Sequence, residues 1–203
     1  MRNRLGLLVV VCLSLVGCAQ PSTATRCAEP EVAAAAETSR ASAEASLHSR
    51  VFVVRHAEKA DDGTKDPPLL PEGVVRATCL ARALSDLEVT HVFATDLQRT
   101  EATVRPTAAA HGVEVATLPA SDTEALAKAL RALPAGSIAL VAGHSNTIPN
   151  LATLLGAPLS GLNDRGHIPE QEHDRLIEVV LADGVAAAPT AQLRYCSPSP
   201  RES

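Results

Sequence analysis

The sequence predicts an α/β fold, a three-layer sandwich in which a mostly parallel central sheet carries helices on both faces. Short apolar runs rich in Val, Ile and Ala alternate with segments in which apolar residues recur at helical spacing. The short runs lack polar alternation, which indicates strands buried on both faces. The aromatic residues are Phe52, Phe93 and Tyr195, so the core must consist of Leu, Val, Ile and Ala, which suits close packing of helices on a sheet.

The first predicted strand is Val51–Val54, a β-branched and aromatic run. Apolar residues at helical spacing then predict a helix over Pro71–Leu87. A second strand is predicted at His91–Ala94 and a second helix over about 97–110. Because proline lacks a backbone N–H and clashes with the preceding turn, Pro106 is expected to kink or end that helix.

A capping box marks the next helix, because Ser121 precedes Glu124 by three residues and an apolar pattern follows. The last two strands are expected to pair with each other through the connection 182–189. The remaining predicted elements are strand Val113–Leu118, a helix over 122–133, strand Ser137–Ala142, helix Ile148–Leu155, and strands Arg175–Leu181 and Ala191–Tyr195.

Residues 1–17 predict a secretory signal peptide. Met1–Arg4 is basic, and Leu5–Val16 is apolar but short for a membrane-spanning helix. The stretch ends in Leu-Val-Gly-Cys, which resembles the lipobox of bacterial lipoproteins, where cleavage leaves an acylated cysteine as the first residue. Cys18 is therefore the expected lipidation site and membrane anchor, the alternative being an ordinary signal peptide with an incidental cysteine. Ala19 in place of Asp favours the outer membrane, facing the periplasm.

Residues 18–48 are rich in Ala, Ser, Thr, Glu and Pro, which predicts a flexible tether after the lipidated cysteine. The folded domain is expected over 49–197, followed by a disordered tail at 198–203. Export permits a disulfide, for which we consider Cys27 with Cys196. Cys79 lies at an apolar helix position and is expected to be a buried free thiol.

The formal net charge of the chain is −5 at pH 7. Sequence-independent binding of nucleic acid depends on many Lys and Arg contacts to phosphates, so this charge argues against a nucleic-acid partner. It does not argue against a small phosphorylated substrate, because a few arginines converging on one pocket can hold a phosphate whatever the net charge.

Polar residues follow three of the predicted strands. In an open α/β sheet, groups at the carboxyl ends of strands point into the crevice where ligands bind. Two arginines and two histidines are thus expected to meet in one pocket. The three segments are Arg55-His56-Ala57-Glu58-Lys59, Thr95-Asp96-Leu97-Gln98-Arg99 and Gly143-His144-Ser145.

This ordered set resembles the histidine phosphatase superfamily, which includes phosphoglycerate mutases, acid phosphatases and short bacterial phosphohistidine phosphatases. The resemblance extends over about residues 50–181, includes Leu69 to Gly73 and Thr103, and is nearest to the branch with Arg-His-Ala-Glu-Lys. It implies that His56 is the nucleophile and becomes phosphorylated. It also implies that Arg55 and Arg99 bind the phosphate.

The same resemblance implies that His144 is the second histidine of the pocket and that it both takes part in catalysis and binds the phosphate. The chemistry requires these residue types in any case. A neutral imidazole is a competent nucleophile, and the equatorial oxygens of the transferring phosphoryl group match the fork of an arginine. Glu58 and Lys59 are candidate substrate contacts, although Glu58 could equally orient a pocket residue or pair with Lys59.

The general acid that protonates the leaving group is the least defined part of the pattern. Asp122 is the candidate, because it lies roughly where many family members place an acid, and Glu124 is close by. Both also have local explanations at the start of a helix. The sequence gives no metal-ligand spacing, so no metal and no cofactor are expected.

The expected function is a metal-independent phosphatase of the histidine acid phosphatase type, acting on a phosphomonoester or phosphoramidate of a small substrate or a phosphoprotein. A phosphomutase of the same family is the alternative enzyme. A non-catalytic envelope lipoprotein that binds phosphorylated ligands is the alternative of a different class. The protein is expected to be a monomer in the bacterial cell envelope, with the membrane as its other partner through the lipid anchor.

Overall fold

A computed structural model describes residues 48–187 and 190–196, and these residues belong to one compact unit. The predicted signal peptide, Cys18, the tether before residue 48 and the tail after residue 197 lie outside the described residues. Within the described residues, no helix has the length and apolarity that crossing a bilayer requires.

The described strands form a single mixed sheet with the order β3-β2-β4-β1-β5-β6. Strands β1 to β4 pair in parallel, β5 is antiparallel to β1, and β6 and β7 pair with the two ends of β5. The strands are β1 Ser49–Arg55, β2 His91–Thr95, β3 Val115–Leu118, β4 Ile138–Gly143, β5 Arg175–Ala182, β6 Val185–Ala186 and β7 Ala191–Arg194.

Helices cover both faces of this sheet: α1 Pro71–Ala83, α2 Gln98–His111, α3 Thr123–Arg131 and α4 Thr147–Leu154. The alternate residues of a strand point to opposite faces. Val53 of β1 packs in one core cluster with side chains of α3 and α4, and Val54 packs in a second cluster with side chains of α1 and α2. The predicted three-layer α/β architecture is therefore confirmed, with an antiparallel addition at the β5 edge.

Several boundaries differ from the predictions. Helix α2 passes through Pro106 and ends at His111, because side chains on both sides of the proline are buried and hold the helix on the sheet. Its C-cap is Gly112, whose φ of 65° is left-handed. Helix α1 ends at Ala83, before the predicted Leu87. The N-cap of α3 is Asp122, which accepts a hydrogen bond from Ala125 N–H at 2.9 Å, so the predicted capping box is wrong by one residue.

The cysteine prediction is also wrong. The structure pairs Cys79 of α1 with Cys196, at a Cα–Cα distance of 6.0 Å, so Cys79 is not a free thiol and Cys196 is not available to Cys27. Cys196 follows β7, which pairs with β5 and returns the end of the described chain to the sheet. Sequence spacing could not show this pairing, because the two cysteines are 117 residues apart.

The register of the sheet brings the functional segments to one edge. Arg55 lies opposite Gly143 in the parallel pair β1–β4, and Ala94 lies opposite Ala142 in the pair β2–β4. The carboxyl ends of β1, β4 and β2 therefore coincide. Strand β5 runs the other way, so its first residue, Arg175, starts at this same edge.

Candidate active site

His56 follows the last residue of β1 and is 3% exposed. Its Nδ1 lies 2.8 Å from the carbonyl oxygen of Ala57, which can only accept, so Nδ1 carries the proton and Nε2 has the free lone pair. Burial, together with the charges of Arg55 and Arg99, lowers the pKa of His56 to about 3, although the hydrogen bond to Ala57 opposes this. His56 is therefore neutral near pH 7.

The loop after β1 is tied to α2 through one hydroxyl. Thr103 Oγ1 accepts a hydrogen bond from Ala57 N–H at 2.9 Å and donates to the carbonyl oxygen of Arg99 at 2.7 Å. Ala57 and Thr103 are both fully buried. One side chain thus fixes the backbone beside His56, the predicted nucleophile, relative to the backbone of the predicted phosphate-binding arginine.

Glu58 pairs with Arg76 of α1, not with Lys59, with two bonds of 2.6 and 2.8 Å to Oε1. Burial opposes ionisation of Glu58, but the hydrogen bonds from Arg76 outweigh it and hold the pKa of this carboxyl below its usual range. A Cβ on Gly73 would lie 2.3 Å from the Glu58 carbonyl oxygen, so only glycine lets α1 approach this loop. Lys59 forms a backbone bridge with Leu69.

The two predicted phosphate-binding arginines reach the pocket from β1 and α2. Arg55 is 3% exposed and uses its terminal nitrogens on the loop before β5, while Arg99 has one weak ion pair, NH1 to Asp66 at 3.5 Å. Burial lowers the pKa of Arg99, and Asp66 opposes this. In both arginines Nε is buried and has no hydrogen-bond partner among the residues that the structure describes.

His144 lies at the end of β4, with its ring centroid 5.4 Å from that of His56. Its Nε2 is 2.9 Å from Thr95 Oγ1, which is 2.8 Å from Thr100 Oγ1. Thr100 Oγ1 is 2.6 Å from the carbonyl oxygen of Leu97 and must donate to it. The consistent chain runs from His144 Nε2–H to Thr95 and on to Thr100, so Nδ1 of His144 is unprotonated in the neutral ring.

The charge state of His144 depends on the same arginines. Burial, together with the charges of Arg99 and Arg55, lowers the pKa of His144 to about 4, although Asp96 opposes this. An anion bound between the arginines would cancel their effect on the ring. His144 is therefore neutral near pH 7, and an anion bound between the arginines would raise its affinity for a proton.

His173 is a third histidine beside this pocket, and the sequence patterns did not point to it. Its Nδ1–H donates to the carbonyl oxygen of His56 at 2.9 Å, and the two ring centroids are 5.9 Å apart. Burial lowers the pKa of His173. Buried Tyr195 donates from its hydroxyl to the carbonyl oxygen of His173 at 3.0 Å. No motif marks His173, and no signal in the sequence indicated its place, because the direction of the strand that begins at Arg175 was not predicted.

Asp122, the predicted general acid, has its carboxylate engaged as the N-cap of α3 and stands on an exposed turn. Glu124 is exposed in the first turn of the same helix. Within residues 48–187 and 190–196, no three His, Cys, Asp or Glu side chains are grouped as a metal site would need. The predicted lipidation site, Cys18, lies outside the described residues.

Comparison with known proteins agrees with this geometry. Residues 51–121 match the model of the histidine phosphatase superfamily, branch 1. No curated protein sequence matches the chain. The match over 51–121 contains the Arg55–Lys59 segment and Arg99, whereas His144 and His173 lie beyond it.

Solved structures of similar fold include a SixA protein histidine phosphatase complexed with tungstate, at a TM-score of 0.56 and 22% identity over 73% of this chain and 97% of that one. A SixA structure from Nakamurella multipartitia matches at a TM-score of 0.52 and 23% identity, over 74% and 96%. A phosphoglycerate mutase from Plasmodium falciparum matches at 0.52 and 20%, over 77% and 97%. Residues 51–121 thus resemble the histidine phosphatase superfamily in sequence, and the fold of the described domain is similar to that of these solved structures.

Proposed function

We propose that this protein is a phosphatase that hydrolyses a phosphomonoester or phosphoramidate through a phosphohistidine on His56. The observation that carries the proposal is the pair of buried, unpartnered Nε–H donors of Arg55 and Arg99 beside a neutral imidazole with a free Nε2. Buried donors without partners are rare and costly, so a site that holds two of them favours an anionic ligand.

In the first step Nε2 of His56 attacks phosphorus in line with the leaving group. The N–P bond forms, the bond from phosphorus to the leaving atom breaks, and the electron pair leaves with that atom. Arg55 and Arg99 stabilise the charge on the equatorial oxygens. The Nδ1–H of His56 stays on the Ala57 carbonyl oxygen and disperses the positive charge that develops on the ring.

The bound phosphoryl group favours a proton on Nδ1 of His144, because its negative charge opposes the effect of the arginines on that ring. His144 then donates from Nδ1 to a phosphoryl oxygen while Nε2–H remains on Thr95. Water attacks the phosphohistidine in the second step, which releases phosphate and restores His56.

Asp122 remains the predicted general acid. Its carboxylate already caps α3, so serving as the acid would require it to leave Ala125 N–H. Substrates whose leaving group departs without strong acid assistance, such as phosphoramidates and esters of acidic alcohols, are therefore the first to test.

The proposal includes a location in the bacterial cell envelope, with Cys18 acylated and the domain in the periplasm. It is supported by the basic start, the apolar stretch and the Leu-Val-Gly-Cys ending of residues 1–18. Mass spectrometry of the mature N-terminus tests it. An unmodified Cys18, or a mature chain that starts elsewhere, contradicts the anchor.

The catalytic proposal is tested by rapid-quench labelling with a ³²P-labelled aryl phosphate. Wild type should give an acid-labile, base-stable phosphoprotein, and His56→Ala should give neither label nor turnover. His91→Ala is the matched control, because His91 starts β2 at the opposite edge of the sheet. Label on another residue, or turnover by His56→Ala near the wild-type rate, rules out His56 as nucleophile.

The same experiment separates the alternatives. Transfer of the label from His56 to a second acceptor, in preference to water, would indicate a phosphomutase. Binding of the aryl phosphate without any label would indicate a non-catalytic protein that only binds phosphorylated ligands.

A further inference from the structure

A cavity of about 370 Å³ lies beside the proposed phosphate pocket. Ser145, at one wall, directly follows His144, and Glu170, at another, contacts Arg55. The cavity therefore adjoins the pocket on two sides, through Ser145 next to His144 and through Glu170 next to Arg55. Its polar lining consists of Ser145, Asn163, Asp164, Arg165, His167 and Glu170.

The outer wall of the cavity is a compact turn. Asn163 Oδ1 accepts hydrogen bonds of 3.0 Å from the N–H groups of Arg165 and His167. Ile168 is buried and donates from its N–H to the carbonyl oxygen of Ser145 at 2.9 Å. The turn is thus held against the segment after His144, which gives the cavity a fixed wall.

The inner wall carries the group nearest to the phosphate pocket. Glu170 Oε1 accepts a 2.6 Å hydrogen bond from NH2 of Arg55, and its carbonyl oxygen accepts one of 2.7 Å from NH1. Arg55 is 3% exposed, whereas the Glu170 side chain is 73% exposed. One carboxylate therefore stands between the buried arginine and the cavity.

This arrangement has an electrostatic consequence for the substrate. A phosphoryl dianion on Nε of Arg55 would share that arginine with the carboxylate of Glu170, and the two anions would repel each other. A positive charge on the leaving group would lie between them and relieve the repulsion. Among the residues that line the cavity, Arg165 is the one with a formal positive charge. It stands on the exposed turn, whereas Glu170 lies next to the pocket, so the charge nearest to the scissile bond is negative.

We propose that this cavity is the leaving-group subsite and that Glu170 makes it selective for a small leaving group with a positive charge near the scissile bond, such as an amino alcohol or a diamine. The inference rests on the proposed function, because it assumes that phosphate binds between Arg55 and Arg99. A cavity of about 370 Å³ holds a leaving group of a few heavy atoms with its water.

The test compares O-phosphoethanolamine with 2-hydroxyethyl phosphate, which has the same length and a neutral polar end. Binding is measured by calorimetry on full-length His56→Ala protein, where turnover cannot interfere. We expect the cationic ester to bind about tenfold more tightly, which corresponds to about 1.4 kcal/mol. Adding Glu170→Gln, which keeps an acceptor for Arg55 but removes the charge, should reduce the preference to about twofold.

Glu114→Gln is the matched control, because it removes the same charge from an exposed residue before β3, at the opposite edge of the sheet. It should leave the preference unchanged, and Arg165→Gln should leave it unchanged or raise it. Equal binding of the two esters, binding of neither, or a preference that survives Glu170→Gln overturns the inference.

Turnover of an aryl phosphate by wild-type protein reports on the proposed function separately. Turnover without a preference between the two esters leaves the phosphatase intact and removes the subsite. A preference in binding without any turnover supports the cation-selective subsite and contradicts the phosphatase.

Discussion

Replacing Thr103 by Val tests the link between α2 and the loop after β1, which holds the proposed nucleophile His56. Valine has nearly the shape of threonine, so the packing inside α2 is kept while the hydroxyl is lost. Without it Ala57 N–H loses its partner, and the carbonyl oxygen of Arg99 loses one of its bonds. Ala57 is fully buried, so water cannot take the place of the hydroxyl.

The magnitude follows from the burial of that N–H. A buried donor left unsatisfied costs about 1–3 kcal/mol, so the free energy of unfolding should fall by about that amount. Activity should fall more steeply, because Ala57 adjoins His56 and a misplacement of about 1 Å can cost about 100-fold in rate. We expect kcat/KM to decrease by about 10- to 100-fold, and Thr103→Ser to restore most of it.

Urea unfolding and steady-state turnover of an aryl phosphate provide the two measurements. Thr107→Val is the matched control one turn further along α2, because Thr107 is also fully buried and its Oγ1 has no hydrogen-bond partner among the described residues. Removing that hydroxyl should leave stability unchanged or raise it by about 1 kcal/mol. The reasoning is refuted if Thr103→Val keeps wild-type stability and kcat/KM, or if both valine variants lose the same stability.

Three further predictions concern pH, the disulfide and chelation. The pKa of His56 is about 3 and that of His144 about 4, below the ordinary 6.5. Below about pH 6.5 these two histidines are therefore protonated in the unfolded chain but remain neutral in the folded protein. Stability should therefore be full above about pH 6.5 and fall as the pH drops toward 3, and urea midpoints at pH 7.5, 6 and 5 should show a shallower decline for His56→Ala. Reduction of Cys79–Cys196 should lower the free energy of unfolding by about 2–5 kcal/mol, because a bridge of this span restricts the unfolded chain, and a Cys79→Ser protein that resists urea as well as wild type would contradict this. Turnover should survive EDTA, since the proposed stabilisation of charge comes from arginines and histidines, and complete loss restored by Mg²⁺ or Zn²⁺ would overturn that mechanism.

Much of the fold could be predicted because its signals are local. The strand at Val51–Val54 and the helix that starts at Pro71 are short-range patterns, and the structure contains both. The helix does not end at Pro106, one of the two expected outcomes, because the proline rule is local, whereas the burial of Thr107 and Ala108 against the sheet decides whether the helix continues. The strand that begins at Arg175 was predicted, but its direction relative to β1 was not.

The sequence by itself determined which residues stand at the pocket edge. Parallel strands end on the same side of a sheet, so a buried run followed by Arg55-His56, and another followed by His144, already bring these side chains together. Their residue types favour the proposed anionic ligand and the proposed role of His56 as nucleophile. None of this requires knowledge of the loops.

Only the tertiary structure decided which residues hold those side chains and which residues lie beside Arg55 and His56. His173 reaches the carbonyl oxygen of His56 across 117 residues, and Glu170 reaches Arg55 across 115. Both contacts exist because β5 runs antiparallel and delivers the loop before it to the pocket edge. Strand direction and loop path depend on the packing of the whole sheet, for which a single sequence carries no local signal.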